Sequence, residues 1–354
     1  MNYILYDQKV EQYYPFTFTR PFGEMRVFGG TIKDRWENLL GCKVSYLTNI
    51  YLSKLYPVTW KVGKNIIIFS DSKIDLDLAE TYELNLTQED IDSKTDFLRE
   101  FRDLVSKKII NNRVKNPLSY FLDTLFFSNN FKSNVDCSNN PFLNDDDGPV
   151  FIEEGVTIME GAMIRGPVHI CKGSVIKMGA KIYGPTIIGP FCKIAGEVSN
   201  SVFLGFSNKA HDGFLGHSII GEWCNIGAGT SNSNLKNNYD TVKMWDYSEN
   251  FFKDSKQQFL GLYMGDHSKC AINTSFNTGT TVGVSCNIFG SGFPRNFIPS
   301  FSWGGNSGFI VHRLEKFFIT AEKVMSRRSI TLSDEDKNIL SFIYDVTKSY
   351  RNEK

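Results

Sequence analysis

The sequence predicts an α/β domain at the front of the chain, followed by a parallel β-helix that ends in α-helices. The main observation is a column of isoleucines that recurs every six residues without a break. A helix repeats every 3.6 residues and a flat strand every two, so neither selects this spacing. A parallel β-helix does, because each six-residue unit forms one short strand and a corner. The column comprises Ile152, Ile158, Ile164, Ile170, Ile176, Ile182, Ile188 and Ile194.

A second period, of three hexapeptides, supports the same architecture. Gly148-Pro149, Gly166-Pro167 and Gly184-Pro185 follow one another at this longer interval. If three hexapeptides form one triangular coil, these pairs stack at the same corner. Glycine relieves the steric limit at a corner and proline fixes the backbone that follows it. The alternative, a β-sandwich of short strands, does not predict an unbroken six-residue spacing.

The repeat loses its phase after Ile194. The residue six positions further is Asn200, and the next clear units put Ile220 and Ile226 two residues out of phase. A repeat fold that breaks its own pattern commonly does so for a functional site or an inserted loop. We therefore expect the disturbed segment, 199–218, to form such a site.

The rest of the back half is predicted to contain an excursion, further coils and two helices. The excursion is polar and aromatic and runs from about 231 to 258; irregular coils then resume and close near Trp303. The first helix carries Leu314 and Phe317 on its apolar face. The second begins after Ser333, a good N-cap that acidic residues follow.

The front of the chain alternates strands with helices, which indicates an α/β layer fold. The strand candidates are NYILYD and NIIIFS, and helical stretches are expected around 31–40, 88–109 and 117–127. The acidic, Asn-rich run SNVDCSNNPFLNDDDGP is typical of a linker. We predict three domains: residues 1–140, 148–305 and 306–354.

Composition disfavours several classes of protein. Among 354 residues, 39 Lys and Arg balance 39 Asp and Glu, so the basic excess expected of a nucleic-acid or membrane-surface binder is missing. No segment resembles a signal peptide or has the ~20 apolar residues of a membrane helix. The seven cysteines are scattered and never spaced CxxC, which predicts reduced thiols in a cytoplasmic protein and no zinc site.

Two stretches carry a resemblance to a known family. NKAHDGFLGHSIIGEWCNIGAGTSNSN resembles the acetyltransferase motif of the GlmU-like proteins, and PFTFTRPFGEMRVFGGTIKDRW resembles the signature of sugar nucleotidyltransferases. These proteins are a shortened variant of the bifunctional enzyme that makes UDP-N-acetylglucosamine. The resemblance implies that the β-helix is left-handed and that three copies form a homotrimer with acyl sites between subunits.

The resemblance also implies a set of residues for acetyl transfer from acetyl-CoA to an amino-sugar phosphate. His211 falls where the family has its catalytic base, a role for which imidazole is suited because its ordinary pKa is near neutrality. A corner histidine bonded to backbone is the alternative interpretation. Phe214 falls on a tyrosine that borders the acceptor phosphate. The remaining candidates are Asn225 and Asn234 for the sugar, Lys209 for phosphate, and Gly227, Ala228 and Gly229 for close backbone approach to a ligand.

The alternatives for these residues are structural. Asn225 can belong to a ladder of side chains that stack along the β-helix, and Lys209 can be a solvated surface charge. Two departures from the family pattern bear on the substrate: the basic residues near the acceptor phosphate correspond to Lys181 and Ser199, and Asp266 replaces a serine near the acetyl donor. The acceptor therefore need not be glucosamine-1-phosphate.

In the front domain the resemblance implies a nucleotide site with Mg²⁺. Asp71 follows an apolar strand, where this class of enzyme puts a magnesium-binding aspartate. Arg20 and Arg26 can bind phosphate bidentately. However, the position of the phosphate-binding glycine loop is occupied by LYDQKVEQYY, with no glycine. A surface turn is the alternative interpretation of Asp71.

Three functions are consistent with these observations. The first is acetyl transfer on the β-helix, either alone or together with coupling of the product to UTP in the front domain. The second is a non-catalytic scaffold that binds a nucleotide-sugar. The third is sugar nucleotidyl transfer alone, with a β-helix that only oligomerises.

Overall fold

A computed structural model of the chain describes residues 1–8, 10–93, 118, 120–121, 132–137 and 142–351. The chain divides into two units. The front unit comprises Met1–Val10, Arg20–Met25 and Gly30–Pro117; the β-helix unit comprises Glu11–Thr19, Arg26–Gly29 and Leu118–Lys354. Two short segments of the predicted front domain, 11–19 and 26–29, thus belong to the β-helix unit. The predicted domain ends at 140, 305 and 354 stay predictions.

The front unit is built on a four-stranded sheet. Val44–Leu47, Asn2–Tyr6 and Gly63–Phe69 are parallel neighbours in that order, and Thr81–Leu86 pairs antiparallel with the last of them. Both predicted strands, NYILYD and NIIIFS, lie in this sheet. Its buried apolar cluster contains Ile4, Leu47, Ile67 and Phe69.

Two helices of the front unit lie among the described residues. Ile32–Leu40 begins at Thr31, whose side chain accepts from the Asp34 backbone N–H, while the Asp34 carboxylate accepts from the Thr31 backbone N–H. This reciprocal cap satisfies two backbone donors at the helix start. The second helix spans Gln88–Ser93. The rest of the predicted 88–109 helix and most of the 117–127 helix lie outside the described residues. Short 3₁₀ turns lie at Phe22–Glu24 and Ile50–Leu52.

The β-helix is confirmed: three parallel sheets run along it, and each of the regular coils adds one strand to each sheet. The first sheet contains Leu143–Asn144, Met163–Arg165, Lys181–Tyr183, Glu197–Ser199 and Phe214–Gly216. The second sheet contains Val150–Ile152, Val168–Ile170, Thr186–Ile188, Val202–Gly205, Ile219–Glu222, Leu262–Met264, Thr280–Val282 and Phe297–Ile298. The third sheet contains Thr157–Ile158, Val175–Ile176, Lys193–Ile194, Asn208–Lys209, Asn225–Ile226, Lys269–Cys270, Asn287–Ile288, Ser302–Gly305 and Gly308–Val311.

The predicted isoleucine column forms the interior of these coils. All eight side chains belong to one apolar cluster, in which Ile152 and Ile158 are partly buried and the other six are at most 1% exposed. Five of the seven cysteines are also buried, and all seven are free thiols. The one-in-six spacing therefore selects the inward positions of consecutive strands.

The Gly-Pro pairs stack at one corner, as the period of three hexapeptides predicts. A Cβ atom added to Gly166 would collide with the backbone oxygen of Gly148, and one added to Gly184 would collide with the ring of Pro167. Because successive coils approach this closely, a side chain cannot be accommodated at these positions.

The register changes after the third coil. In the third sheet, Thr157, Val175 and Lys193 are register partners separated by three hexapeptides each. The partner of Lys193 in the next coil is Asn208, which is three residues closer in the chain than a full coil of three hexapeptides would place it. The partner of Asn208 is Asn225, which is one residue closer than a full coil would place it. The disturbed segment is therefore a shortened coil that stays in all three sheets rather than an inserted loop.

The second predicted excursion is a true insertion, because the third sheet passes directly from Asn225 to its partner Lys269, far more than one coil further along the chain. Ser231–Asn232 pairs parallel with Ser275–Phe276, and the insertion contains an antiparallel hairpin of Lys243–Asp246 and Phe251–Asp254. The third sheet closes with Ser302–Gly305 and Gly308–Val311, which pair antiparallel. The closing point agrees with the prediction near Trp303.

Both C-terminal helices are confirmed as Leu314–Ser326 and Asp334–Val346. The first buries Phe317 and Ala321, and the second buries Ile343 after a reciprocal cap at Ser333. Lys348–Arg351 forms a final 3₁₀ turn. Among the described helices, none has the length and apolar character needed to cross a bilayer.

Candidate functional site

His211 lies in a bend between the strands Asn208–Lys209 and Phe214–Gly216, at the end of the shortened coil. Its side chain is exposed, and its carbonyl oxygen accepts a hydrogen bond from Lys209 Nζ at 2.9 Å. The imidazole is therefore accessible to a ligand, while its main chain is held from inside the coil. His211 does lie at a corner, as the alternative interpretation holds, but its described hydrogen bond is made by the carbonyl oxygen and not by the ring.

Lys209 does not face solvent, so the prediction that it binds phosphate does not fit the structure. It pairs in register with the inward Ile194 and is 1% exposed. Its ammonium donates to the carbonyl oxygens of His211 and Ala195, the latter at 3.2 Å. Burial lowers the pKa of Lys209 to about 8, although the negative charge of Asp212 acts to raise it. Neither interpretation of the sequence anticipated a lysine inside the coil.

Phe214 and Asn234 converge at one point of the first sheet. A Cβ atom added to Gly216 would lie 2.5 Å from Phe214 Cζ and 2.8 Å from Asn234 Nδ2. The phenyl ring and the amide therefore meet over a glycine that leaves space between them. Two of the residues predicted to contact the acceptor thus form one half-buried polar and aromatic surface.

His217 completes this surface. Its Nδ1 is 2.9 Å from Asn234 Nδ2, and its ring stacks on Phe259 at a centroid distance of 5.1 Å. Burial lowers the pKa of His217 to about 4, so the ring is neutral at pH 7. With the Asn234 amide donating, Nδ1 is the acceptor and Nε2 carries the proton. His217 therefore orients Asn234 rather than acting as a base.

Lys181 and Ser199 lie on the same sheet as Phe214. Lys181 is exposed and pairs with Glu197, which in turn pairs with Phe214; Ser199 is buried and pairs with Gly216. Lys181, Ser199 and Phe214 therefore lie on three consecutive strands of the first sheet. Glu197 also accepts a hydrogen bond from the Tyr183 hydroxyl at 2.7 Å.

Asn225 lies on a different sheet, the third. It is exposed and pairs in register with Asn208 on one side and Lys269 on the other. The register therefore stacks Asn225 between two polar residues, an arrangement that the structural interpretation also predicts. Within one chain, Asn225 and Asn234 do not form one site.

Two backbone N–H groups of Gly227-Ala228-Gly229 are used by the coils on either side, so Gly227 and Gly229 do not offer theirs to a ligand as predicted. The N–H groups of Gly227 and Gly229 donate to the carbonyl oxygens of Cys270 and Asp212, at 3.2 and 3.0 Å. A Cβ atom on Gly227 would collide with the Ala271 backbone. These glycines permit close packing of successive coils.

Asp266 is buried and anchors a backbone turn, so it does not fit a place beside the acetyl donor. Its Oδ1 accepts from the Glu222 backbone N–H at 2.9 Å, and its Oδ2 accepts from the Thr19 hydroxyl at 2.7 Å. Thr19 belongs to the TFTRP stretch that resembles nucleotidyltransferases. Part of that signature therefore performs a structural role within the β-helix unit.

The two arginines of the same signature fall in different units. Arg26 belongs to the β-helix unit and donates from Nε to the Leu204 carbonyl oxygen at 3.0 Å. Arg20 belongs to the front unit and is 6% exposed. Because Arg26 Nε is engaged by backbone, a bidentate phosphate contact would have to use its two terminal nitrogens, and that role stays a prediction.

In the front unit, polar residues gather at the carboxyl ends of three parallel strands. Asp7, Thr48 and Ser70 follow Asn2–Tyr6, Val44–Leu47 and Gly63–Phe69 directly, and Asp71 comes next. The Asp7 carboxylate accepts from the hydroxyls of Ser70 and Thr48, at 2.6 and 2.7 Å, and from the Phe22 backbone N–H at 3.3 Å. Ligands of open parallel sheets bind at this edge.

Asp71 is 4% exposed, so it is not a surface turn, and its negative charge is felt by Asp7. Burial raises the pKa of Asp7 to about 6; its three hydrogen bonds oppose the shift and the charge of Asp71 adds to it. Asp7 was not among the predicted site residues, although a polar residue at the end of a buried strand was the available signal.

The raised pKa of Asp7 predicts how the stability of the front unit varies with pH. The folded pKa exceeds the ordinary 3.8, so the native state retains the proton longer and the free energy of unfolding falls as pH rises from about 4 to about 6. The fall is about 3 kcal/mol, because each pKa unit corresponds to about 1.4 kcal/mol. In Asp7→Asn this fall is expected to disappear, as measured by hydrogen exchange of residues 2–6 in urea at each pH.

The matched control for that prediction is Asp77→Asn, an exposed carboxylate of the same unit. It is expected to retain the wild-type pH dependence. An unchanged pH dependence in Asp7→Asn would show that Asp7 is ionised throughout this range.

One further cluster of the described residues contains three types of metal-ligating side chain. The hydrogen bonds of its histidine disfavour a bound metal, because they occupy both ring nitrogens. Glu153, His169 and Cys171 present their ligand atoms within 4.8 Å of one another. The Gly29 backbone N–H donates to His169 Nδ1 at 3.1 Å, so the ring proton is on Nε2 and points at Glu153 Oε1, 2.8 Å away. The hydrogen bond from His169 lowers the pKa of Glu153 to about 2. Both ring nitrogens are thus engaged.

Comparison with known proteins gives one family match and two similar sequences. Residues 3–81 match the sugar nucleotidyl transferase family. The bifunctional protein GlmU of Methanocaldococcus jannaschii is 37% identical over 90 residues, which are 25% of this chain and 21% of that protein. The bifunctional sugar-1-phosphate nucleotidylyltransferase/acetyltransferase of Sulfurisphaera tokodaii is 35% identical over 170 residues, 48% of this chain and 40% of that protein.

A solved structure of a hexapeptide transferase family protein from Anaplasma phagocytophilum covers 57% of this chain and 96% of its own, at 14% identity and a TM-score of 0.20. The β-helix assignment rests on the strand register of the chain itself. The fold and the sequence matches define a class: a β-helix of hexapeptide coils joined to a region of the sugar nucleotidyltransferase type. Within that class, the chain is similar over the matched residues to the two bifunctional proteins named above. Its matches span 21% and 40% of the lengths of those two relatives.

Proposed function

We propose that the chain is a transferase of nucleotide-sugar synthesis that moves an acetyl group from acetyl-CoA to an amino-sugar phosphate. The observation that carries the proposal is the exposed His211 imidazole at the end of the shortened coil. The strand Phe214–Gly216 follows it closely in the chain, and the side chains of Phe214 and Asn234 meet over Gly216 of that strand. The names of the two bifunctional relatives support the reaction class. We further propose a cytoplasmic homotrimer, the arrangement that the resemblance implies.

In this reaction the amine nitrogen of the sugar attacks the thioester carbonyl carbon of acetyl-CoA. The C–N bond forms, the C–S bond breaks, and the amine proton moves to the His211 imidazole and from there to the coenzyme A thiolate. An imidazole is suited to both transfers because its ordinary pKa is near the working pH. The exposed position of His211 gives both substrates access to the ring.

The acceptor is proposed to lie against the surface of Phe214, Asn234 and Lys181. The Asn234 amide can bind sugar hydroxyls, and the phenyl ring of Phe214 can pack on the apolar face of the sugar. Phe214 has no hydroxyl to offer a phosphate, so Lys181 is the cation proposed for it. This chemistry admits amino-sugar phosphates other than glucosamine-1-phosphate.

Asn234 and Asn225 give a matched pair of variants for testing this placement. Asn234→Ala is expected to raise the KM for the amino-sugar acceptor about tenfold, because it removes one or two side-chain hydrogen bonds. Asn225→Ala, on the other sheet, is expected to leave that KM within about twofold if the site is formed by one chain. Steady-state kinetics with glucosamine-1-phosphate, followed as free thiol release, measures both.

Equal rises in KM for the two variants would indicate that the site is assembled from the first sheet of one chain and the third sheet of another. No change in either variant would contradict the proposed acceptor surface.

The second candidate function is sugar nucleotidyl transfer in the front unit, favoured by the family match over residues 3–81 and by the carboxyl-edge position of Asp71. Mg²⁺ is held in proteins by one or two carboxylates together with substrate phosphates. Asp71 fits this pattern by its position at the carboxyl edge of the parallel strands. A bound Mg²⁺ would neutralise phosphate charge there, and Asp71 is the residue proposed to hold it.

Pyrophosphate release from UTP and N-acetylglucosamine-1-phosphate tests this second function, with Asp71→Asn beside the wild type. If neither pyrophosphate nor free thiol is released by the wild-type chain but UDP-sugars still raise its melting temperature, the non-catalytic scaffold is the correct function.

A further inference from the structure

The β-helix carries one lysine inside the shortened coil, next to the candidate base. Lys209 occupies the inward position that Ile158, Ile176 and Ile194 occupy in the preceding coils of the third sheet. It is 1% exposed and ranks among the largest fully buried side chains. Placing an ammonium group in an apolar interior costs free energy unless hydrogen bonds compensate it. An aliphatic residue would fill the same position without that cost.

The hydrogen bonds of Lys209 lead directly to the main chain of His211. Its Nζ donates to the His211 carbonyl oxygen at 2.9 Å and to the Ala195 carbonyl oxygen at 3.2 Å. Ala195 belongs to the preceding coil, and its backbone N–H in turn donates to the Lys209 carbonyl oxygen at 2.7 Å. Lys209 therefore joins the bend that bears the imidazole to the coil beneath it.

Gly196 provides the space that this arrangement requires. Its φ is +71°, and a Cβ atom at this position would lie 2.8 Å from Lys209 Nζ, 2.7 Å from the Gly213 carbonyl oxygen and 3.0 Å from Asp212 Cα. The glycine thus accommodates both the ammonium and the 211–213 bend. Gly196 lies in a corner that is two residues shorter than this bend of the next coil, because Ile194 pairs with Lys209, 15 residues further on, whereas Glu197 pairs with Phe214, 17 residues further on.

We propose that Lys209 is a positioning residue: its buried ammonium fixes the His211 backbone, and so the direction of the imidazole, within the shortened coil. The proposal rests on the proposed acetyl transfer, since positioning matters only if His211 is the base. The alternative is that Lys209 merely stabilises the coil, in which case its loss lowers stability without changing the turnover of the folded protein.

Lys209→Met tests this proposal, because it keeps most of the length of the side chain and removes its N–H donors. We expect kcat for acetyl transfer to fall about 10- to 100-fold, the usual effect of misplacing a reacting group by about 1 Å. The KM for acetyl-CoA should stay within about twofold, because Lys209 does not reach the surface. Lys209→Gln, which retains two N–H donors on a shorter side chain, should recover part of the loss.

Ile176→Ala is the matched control. Ile176 is fully buried in the same inward column, two coils before Lys209. Its truncation is expected to lower the melting temperature while kcat stays within about twofold of the wild type. A Lys209→Met enzyme that is destabilised like Ile176→Ala but retains wild-type kcat would overturn the proposal.

A readout that does not depend on turnover separates this proposal from the proposed function. The chain has five histidines, so the imidazole signals can be assigned by NMR with single His→Gln variants. Lys209→Met should shift the His211 ring signals and leave those of His169 and His312 in place; Ile176→Ala should leave the His211 signals unshifted. An inactive wild-type chain would refute acetyl transfer, and unshifted His211 signals in Lys209→Met would refute the positioning role.

Gly196→Ala provides a second route if Lys209→Met does not fold. This variant keeps the lysine and crowds both its ammonium and the 211–213 bend. It should lower kcat and shift the His211 signals in the same way as Lys209→Met. A folded Gly196→Ala protein with wild-type kcat and unshifted signals contradicts the proposal.

Discussion

Replacement of His211 by alanine is expected to lower kcat for acetyl transfer by about 10²- to 10⁴-fold, the range that general-base catalysis supplies. The physical reason is that the variant has no imidazole to take the proton of the attacking amine. His211 is exposed and its described contact is made by its main chain, so the melting temperature should change little. Free thiol release from acetyl-CoA, measured with an amino-sugar phosphate at saturation, checks this result.

Two variants make the His211 result specific. His211→Gln keeps a polar side chain of similar size but cannot accept and pass on a proton, so it should lose as much kcat as His211→Ala. Lys172→Ala removes an exposed side chain of another coil and should behave as the wild type. If His211→Gln retains more than about a tenth of wild-type kcat, His211 is not the base.

Truncation of an inward isoleucine is expected to have the largest effect on stability. Ile188→Ala removes buried atoms from the interior of the β-helix, where Ile188 is fully buried. The expected loss is about 2 to 5 kcal/mol, because the lost transfer free energy adds to the cost of the cavity. Hydrogen exchange of residues 186–188, followed in urea, measures the free energy of unfolding of this part of the chain.

Ile310→Ala is the matched control, because it deletes the same atoms from a side chain that is 71% exposed. Its effect should be within about 0.5 kcal/mol of zero. Equal losses in the two variants would mean that the isoleucine column is not the stabilising core of the coils.

The fold of the back half was predictable because the β-helix repeats locally. A regular coil turns one residue of every six inward at a fixed place, so the column from Ile152 to Ile194 marks the interior without knowledge of the contacts. The Gly-Pro corners and the capped helix after Ser333 follow from equally local rules. The candidate base was also found this way, since His211 follows the point where the local repeat fails.

The environment of the other candidate residues was not predictable in the same way. The sequence predicts that Lys209 binds phosphate, yet its side chain points into the coil. It predicts that Gly227 lies against a ligand, yet this residue packs on the next coil. Asp266 anchors Thr19, which lies near the other end of the chain. Such contacts depend on which residues of different coils lie side by side, and a motif followed along one chain does not contain that information.

The sequence by itself determined the triangular coil, its apolar column and the residue at which its phase is lost, because a regular spacing of apolar side chains is a one-dimensional property. Only the tertiary structure decided how that phase is lost: one coil is three residues shorter than the coils before it. In that shortened coil Lys209 points inward, its ammonium lies beneath the His211 carbonyl and the imidazole stays outside. The number of residues in a coil is set by how each coil packs on the one before it, and this is a property of the three-dimensional stack.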